Sequence, residues 1–205
     1  MKLEVPVMAT ADRRTFVDFW ARFYRYPKEE QYSENVGKSL TARRVLVLFE
    51  WKNGRPLSRA KKATVKGFLS DARLPSRVDD ESLRRYLLRP GGPIWRIFWL
   101  HLQQPDRFPI FDQHVYRAMA RVTGHNPREV PARPAAKIEA YLNDYLPFWR
   151  GFRDFDPRRV DRALWTYGKF VVGRLRDRES NCAIQLSVCA SRPLRSQGPR
   201  RTARR

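Results

Sequence analysis

The sequence predicts an all-α protein with one compact multi-helix domain. Apolar residues recur at helical spacing along most of residues 1–173, and no segment makes a convincing sheet. Segments that contain glycine and proline separate these helical stretches. With 205 residues, of which 42% are hydrophobic, the chain has enough apolar side chains for a well-buried core. Disorder throughout the chain is therefore excluded.

The first predicted helix runs from Arg13 to Tyr26, because its aromatic residues fall at helical spacing. Asp12 or Thr15 is its candidate N-cap, and Pro27 ends it.

The second predicted helix covers residues 40–52 and stops at Asn53-Gly54, where glycine suits the left-handed cap. Residues 45–48 include β-branched side chains, so a strand is the alternative there. A short basic helix is predicted at residues 61–70, and residues 71–79 form a polar connection.

The centre of the chain contains the most apolar predicted helix. Asp80 begins a helix that ends at residues 90–93, where two glycines stand between two prolines. Residues 94–102 follow and are apolar on nearly every side, which predicts a helix buried at the centre of the fold. Asp112 opens the next helix.

Two further helices, at residues 135–146 and 157–173, complete the predicted domain. From Arg174 onward the periodicity fades, and arginine, serine and proline dominate. We therefore expect a domain of residues 1–173 and a disordered basic tail of residues 174–205.

The charge balance indicates a polyanionic partner. Lysine and arginine number 42 against 21 acidic residues, a net charge of +21. Residues 174–205 hold nine arginines and two acidic residues, a surplus of +7, which leaves +14 for residues 1–173. Nucleic acid is the commonest partner of so basic a protein, so DNA is the expected partner. A solvated basic surface with no specific partner is the alternative.

Several classes of protein are excluded by pattern. Charged residues interrupt every apolar run before the ~20 residues that a membrane helix needs, and residues 1–10 lack the apolar core of a signal peptide. Two cysteines in the tail give no disulfide framework, which predicts a reducing compartment. The three histidines lack zinc-site spacing, so no metal is expected. A cytoplasmic, nucleoid-associated protein is predicted.

The most informative segment joins a glycine turn, a buried helix and an acidic helix start. Pro90-Gly91-Gly92-Pro93 precedes the apolar helix, and Phe108-Pro109-Ile110-Phe111 forms a short extended strip. Asp112, His114, Val115 and Arg117 then form an Asp-x-His-Val-x-Arg motif, and Gly91 through Asp112 spans 22 residues.

This segment resembles the helix-hairpin-helix DNA glycosylases, especially the endonuclease III and adenine-mismatch branches. Their pattern is Pro-Gly-x-Gly, a helix, an apolar-Pro-apolar strip, then Asp-x-His/Asn-Val/Ile-x-Arg. Residues 160–168 are similar to the helix packed beneath the active site in that fold. The resemblance covers about residues 40–173 and is specific over residues 88–122. It implies the helix-hairpin-helix fold and a base-excision activity on DNA.

The resemblance implies that Asp112 is the catalytic carboxylate. A carboxylate there stabilises the oxocarbenium-like state of N-glycosidic cleavage, or orients and activates the attacking water. The base must first leave the DNA stack. The residues expected to contact DNA belong to the hairpin and the helix after it, to the motif that begins at Asp112, and to a basic run: Gly91, Gly92, Ile94, Arg96, His114, Arg117, Arg59, Lys61 and Lys62. For the basic run, a solvated helix face is an equally good explanation.

The sequence also departs from the family pattern. Pro93 stands at the position of the family's second hairpin glycine and has no N–H to donate to a phosphate. Ile94 stands where lyase-competent members carry a Schiff-base lysine, so a monofunctional hydrolase without strand cleavage is expected. Cys182 and Cys189 have the first spacing of an iron–sulfur loop, but the next two ligand positions are arginine and glycine. No cluster and no other cofactor is expected.

Two other functions stay open at this point. One is a non-catalytic DNA- or RNA-binding protein in which Asp112 is only an N-cap, worth ~1 kcal/mol of stability. The other is a helical interaction protein whose positive charge is incidental.

Overall fold

The computed structural model describes residues 12–71 and 78–171, and every regular element within them is helical. In chain order these elements are α1 (Arg13–Ala21), α2 (Glu29–Ser33), α3 (Ala42–Asn53), α4 (Arg59–Phe68), α5 (Asp80–Leu87), α6 (Pro93–Gln103), α7 (Gln113–Val122), α8 (Pro134–Glu139), a π-helical segment (Ala140–Tyr145), α9 (Leu146–Arg150) and α10 (157–171). The all-α prediction is confirmed for these residues. The predicted tail, with its two cysteines, lies outside the described residues.

Helix α6 is the centre of the core, as its apolar sequence predicts. Eight of its residues are buried, and helices α2, α3 and α4 each pack an aromatic ring against it. Its one buried histidine, His101, bonds through Nδ1 to the Phe108 carbonyl at 2.8 Å and through Nε2 to the Tyr32 hydroxyl at 2.7 Å. Since a carbonyl only accepts, Nδ1 carries the proton and Nε2 accepts from Tyr32. The ring is therefore a neutral bridge between α2, α6 and the loop after α6.

Helices α7 and α10 approach each other closely at Gly168. A Cβ atom placed on Gly168 would lie 1.9 Å from the carbonyl oxygen of His114. Only a glycine allows this approach without a shift of backbone. The contact brings the first turn of α7, which begins after Asp112, against the helix that carries Asp161.

The π-helical segment packs against Phe111, the residue that precedes Asp112. Its Tyr141 and Tyr145 are completely buried, and both rings pack 5.3 Å from the ring of Phe111. The wider turn of a π-helix changes the direction of side chains that a continuous α-helix would place elsewhere. Phe111 is thereby fixed, and the start of α7 with it.

Several predicted boundaries differ from the structure. Helix α1 ends at Ala21 rather than Tyr26, because the chain then turns to place Tyr24 and Tyr26 against Trp165. Residues 45–48 are helical, so the strand alternative is wrong. The helix predicted at residues 135–146 is divided between α8 and the π-helical segment. Helix α2 has no counterpart among the predicted elements.

Across residues 12–71 and 78–171, no helix combines the length and the apolar character needed to cross a bilayer.

Candidate active site

A cavity of about 390 Å³ opens beside the first turn of α7. This size falls within the ~300–1,000 Å³ typical of small-molecule pockets. Its walls are formed by the segment before α2 and by helices α3, α6, α7 and α10. Five of the fifteen lining residues are tyrosines or tryptophans: Tyr24, Tyr26, Trp51, Trp95 and Trp165. Aromatic side chains in a cavity wall can stack on a planar ligand.

Asp112 is fixed in this cavity by the backbone of the helix that it caps. Its Oδ1 accepts hydrogen bonds from the backbone N–H groups of His114 at 2.9 Å and Val115 at 3.2 Å. Its Oδ2 accepts a hydrogen bond from Lys52 Nζ at 3.0 Å. The side chain keeps 25% of its surface exposed and lines the cavity. A carboxylate accepts about four hydrogen bonds, so Oδ2 retains capacity for one more partner.

The surroundings of Asp112 keep it ionised. Burial by itself would raise the pKa of this carboxyl, but the Lys52 ammonium and the backbone N–H of Val115 outweigh that effect, so its pKa is lowered. Asp112 is therefore a permanent anion at neutral pH. Such a group is better suited to stabilise developing positive charge than to collect a proton from water.

A second carboxylate, Asp161, lines the same cavity from α10. Its side chain is almost wholly buried, with 3% exposure, and its Oδ1 has no hydrogen-bond partner among the described residues. Burial raises the pKa of Asp161 to about 7, against the opposing charges of Arg158 and Lys52. The cavity thus holds one carboxylate that is ionised at neutral pH and one that is only partly ionised there.

Arg158 forms another part of the cavity wall. Its guanidinium lies 4.1 Å from the ring centroid of Tyr32 and 5.2 Å from that of Trp51. Glu29 accepts a hydrogen bond from it at 2.7 Å and is shared with Arg162 at 3.0 Å. Ion pairing and stacking hold α2 against α10. Arg158 is thereby anchored as part of the wall.

His114 also lines the cavity and has a free ring nitrogen. Its ring packs edge-on against Trp165 at 5.3 Å, and its buried Nδ1 has no partner within the described part of the chain. Burial lowers the pKa of His114, which makes the ring neutral at pH 7. A neutral imidazole can donate or accept one hydrogen bond toward a ligand.

Among the other predicted site residues, two lie in or beside the cavity and two are exposed to solvent. Ile94 lines the cavity, and Lys61 donates to Asn53 Oδ1 at 2.8 Å with its Nζ 5.3 Å from the Trp95 ring. Asn53 and Trp95 are both lining residues, so the basic helix α4 adjoins the cavity. Arg59 and Lys62 are exposed on α4. Lys62 also lies 3.6 Å from Glu50.

The glycines of the predicted hairpin both adopt left-handed backbone angles. Gly91 has φ +111° and Gly92 has φ +82°. A Cβ on Gly91 would lie 2.6 Å from Phe68, whereas the space around Gly92 is open and Gly92 is exposed. Pro93 occupies the first turn of α6, where a missing N–H costs little.

Two arginines predicted to contact DNA have partners within the protein. Arg96 is 5% exposed, donates to the Pro90 carbonyl at 2.9 Å and is ion-paired with Asp71. It braces the glycine turn from within, so the expectation of a DNA contact is corrected. Arg117 donates through Nε to Glu129 at 2.9 Å and keeps 16% side-chain exposure. This is the internal pairing that competes with a DNA contact.

Three charged cavity residues escape the sequence analysis, namely Lys52, Arg158 and Asp161. Lys52 stands 60 residues before Asp112 at the end of α3, and nothing in its local sequence marks it. Asp161 does have a signal, since Leu164, Trp165 and Gly168 share its helix face. An acidic residue on such an apolar face is a candidate for burial.

Within residues 12–71 and 78–171, no three acidic, histidine or cysteine side chains lie where they would hold a metal ion. The fold and this site define an all-helical protein with a carboxylate-bearing, aromatic-walled cavity. Comparisons with protein-family models, curated proteins and solved structures find no match.

Proposed function

We propose that the protein binds DNA and hydrolyses the N-glycosidic bond of a damaged or modified base, with Asp112 as the catalytic carboxylate and a helix-hairpin-helix arrangement at residues 88–122. One observation supports this most strongly: Asp112 is an ionised carboxylate that remains partly exposed in a cavity with aromatic walls. An extruded base requires flat walls to replace its stacking in the duplex. The sugar cation that forms on cleavage requires a fixed anion nearby.

The basic face of α4 supports DNA as the substrate. Arg59 and Lys62 are exposed, and Lys61 reaches two residues that line the cavity. Phosphate contacts position a duplex without specifying its sequence. A duplex held by this face would bring a flipped nucleotide toward the opening of the cavity. The cytoplasmic, nucleoid-associated location and a role in base excision repair remain predictions from the sequence.

The direct experiment uses duplexes that contain uracil, hypoxanthine, 8-oxoguanine, adenine opposite 8-oxoguanine, or N7-methylguanine. Release of a base is detected as strand breakage after alkali, and strands should stay intact before alkali if the protein has no lyase activity. Asp112→Asn keeps an oxygen for the helix cap but removes the charge. It should reduce excision about 100-fold or more while DNA affinity is unchanged or higher. Asp106→Asn, an exposed residue outside the cavity, is the matched control.

A second candidate function is non-catalytic nucleic-acid binding on the same scaffold. The observation that favours it is that both oxygens of Asp112 already have partners, in the helix cap and in Lys52. Wild-type protein that binds duplex DNA but releases none of these bases would support this second function and overturn the first.

A further inference from the structure

We infer that Asp161 is the acid that donates a proton to the departing base, so that the cavity is selective for bases that leave as neutral rings needing a proton. This inference rests on the proposed glycosylase activity. It assigns separate roles to the two carboxylates of the cavity, with Asp112 as the anion near the sugar and Asp161 as the proton donor near the base.

Asp161 is buried in the wall of the cavity. It lines the cavity from α10, on the same helix as Arg158 and Trp165, which also line it. With 3% exposure it is removed from bulk water, and its Oδ1 has no partner among the described residues. A buried polar atom left unsatisfied destabilises the folded protein, so its retention points to a ligand that satisfies it.

Asp161 is not an isolated case within this cavity. Two other lining side chains also have a buried polar atom without a partner in the described ranges, namely Trp51 through Nε1 and His114 through Nδ1. Donors and acceptors around an aromatic slot are what recognition of a heterocyclic base requires.

Burial and the charges around Asp161 determine whether its carboxyl is protonated. The titratable and charged groups that act on it come from α2, α3, α7, the π-helical segment and the start of α10: Tyr32, Lys52, Asp112, Tyr141, Tyr145, Asp156 and Arg158. Burial and the anions Asp112 and Asp156 favour the protonated carboxyl, against Lys52 and Arg158, and burial is the largest effect. The pKa of Asp161 is raised to about 7, so a proton is available at neutral pH.

Proton transfer from Asp161 accompanies cleavage of the glycosidic bond. The bond from C1′ to the base nitrogen breaks, and its electron pair stays with the base. The Asp161 carboxyl transfers its proton to a ring nitrogen, and the base leaves as a neutral molecule. Water forms the new bond to C1′ and loses a proton to solvent, from which Asp161 is reprotonated. A base that is already cationic, such as N7-methylguanine, is neutralised by the bond's electron pair and needs no proton.

The charge of the lining also favours a neutral base. With Asp161 protonated, the charged lining residues are Lys52, Arg158 and Asp112, a net charge of +1. A cationic ring would therefore find no surplus of negative charge in this lining. Aromatic walls would stack either kind of ring, so the proton donor is the discriminating feature.

The test compares Asp161→Asn with wild type on the neutral base that wild type releases and on N7-methylguanine, with spontaneous release subtracted. Asp161→Asn should slow excision of the neutral base about 100-fold or more and change N7-methylguanine excision less than about tenfold, because general acid catalysis contributes 10²–10⁴. Wild-type excision of the neutral base should fall as pH rises through about 7, and this limb should be absent in the variant. Asp154→Asn, an exposed carboxylate shortly before the same helix, is the matched control.

The possible outcomes separate the two proposals. If wild type releases no base at all, the proposed function fails and this inference fails with it. If wild type releases a neutral base but Asp161→Asn slows both substrates equally, or neither, the inference is overturned and the glycosylase stands. Release of N7-methylguanine alone overturns it as well. Circular dichroism and thermal unfolding at neutral pH establish that the variant is folded.

Discussion

Lys52 Nζ lies 3.0 Å from Asp112 Oδ2, and this pair joins the end of α3 to the start of α7 at the wall of the cavity. The two side chains keep 11% and 25% of their surface exposed. The ammonium is what allows a carboxylate in a desolvated place to remain ionised. The same contact restrains Asp112 and sets its charge, so Lys52 is a positioning residue for the proposed chemistry.

Replacing Lys52 with methionine should destabilise the protein and raise the pKa of Asp112. Asp112 would lose its cation while its burial remains, at a cost of about 1–3 kcal/mol in the free energy of unfolding at pH 7. In wild type the lowered pKa contributes stability above about pH 4 that is lost as pH falls through the folded value. In the variant the carboxyl gains a proton more readily, so the stability difference should narrow in acid.

Urea denaturation of wild type and Lys52→Met at several pH values between about 3 and 8 measures this difference. Lys62→Met is the control, since Lys62 lies 3.6 Å from Glu50 with 46% of its side chain exposed. Its effect should stay within about 0.5 kcal/mol. A difference between wild type and Lys52→Met that stays constant down to about pH 3 would contradict the electrostatic role.

Asp161→Asn should make the protein more stable at alkaline pH. The folded pKa of Asp161, about 7, lies above its unfolded value, so its contribution to stability is complete below about pH 4 and is lost as pH rises through 7. The variant lacks this loss and should exceed wild type by about 2–4 kcal/mol at pH 8. At pH 4 the advantage should disappear.

The same urea titration tests this prediction. His101 acts in the opposite direction, because burial lowers its pKa to about 3 and its contribution is lost as pH falls below about 6.5. His101 is present in both proteins, so it cancels in their difference. A stability difference that does not grow from pH 4 to pH 8 would show that Asp161 ionises normally.

The sequence was sufficient to predict the helical class and the acidic start of α7, because both depend on local pattern. Asp112 has an N-cap position and an apolar strip before it, and these are visible within a few residues. Helix α2 has only five residues, too few to show periodicity. The early end of α1 depends on distant aromatic contacts with Trp165.

The candidate site was predictable only in part, since its other charges come from distant segments. Lys52 and Asp161 meet Asp112 in the cavity although they lie far from it in the chain. Arg96 has the residue type expected of a phosphate contact, but Asp71 and the Pro90 carbonyl hold it inside. Whether an arginine faces solvent or a carboxylate depends on tertiary packing.

Exposed cations on α4 should account for part of the salt dependence of DNA binding. Each lost phosphate contact reduces the slope of log K against log salt by about 0.9, so replacing Arg59 and Lys62 with glutamine should reduce it by about 2. Replacement of Arg133 and Arg153, which are exposed outside α4, is the control and should leave the slope unchanged. Fluorescence anisotropy with a labelled duplex measures it. Equal slopes for both double variants would exclude α4 as the contact surface.

The close approach of α7 and α10 should make Gly168 one of the least replaceable residues. In Gly168→Ala the new Cβ would lie 1.9 Å from the His114 carbonyl oxygen, a backbone atom that moves only if α7 moves. We expect a loss of about 3 kcal/mol or more, at the upper end of overpacking costs. Because His114 N–H also holds Asp112 Oδ1, the displacement should reduce any excision activity as well. Gly67→Ala is the control, since Gly67 lies within α4 with open space around its Cβ position and should gain up to ~1 kcal/mol from helix propensity. If both alanine variants unfold at the same urea concentration, the contact between the helices does not determine where Asp112 lies.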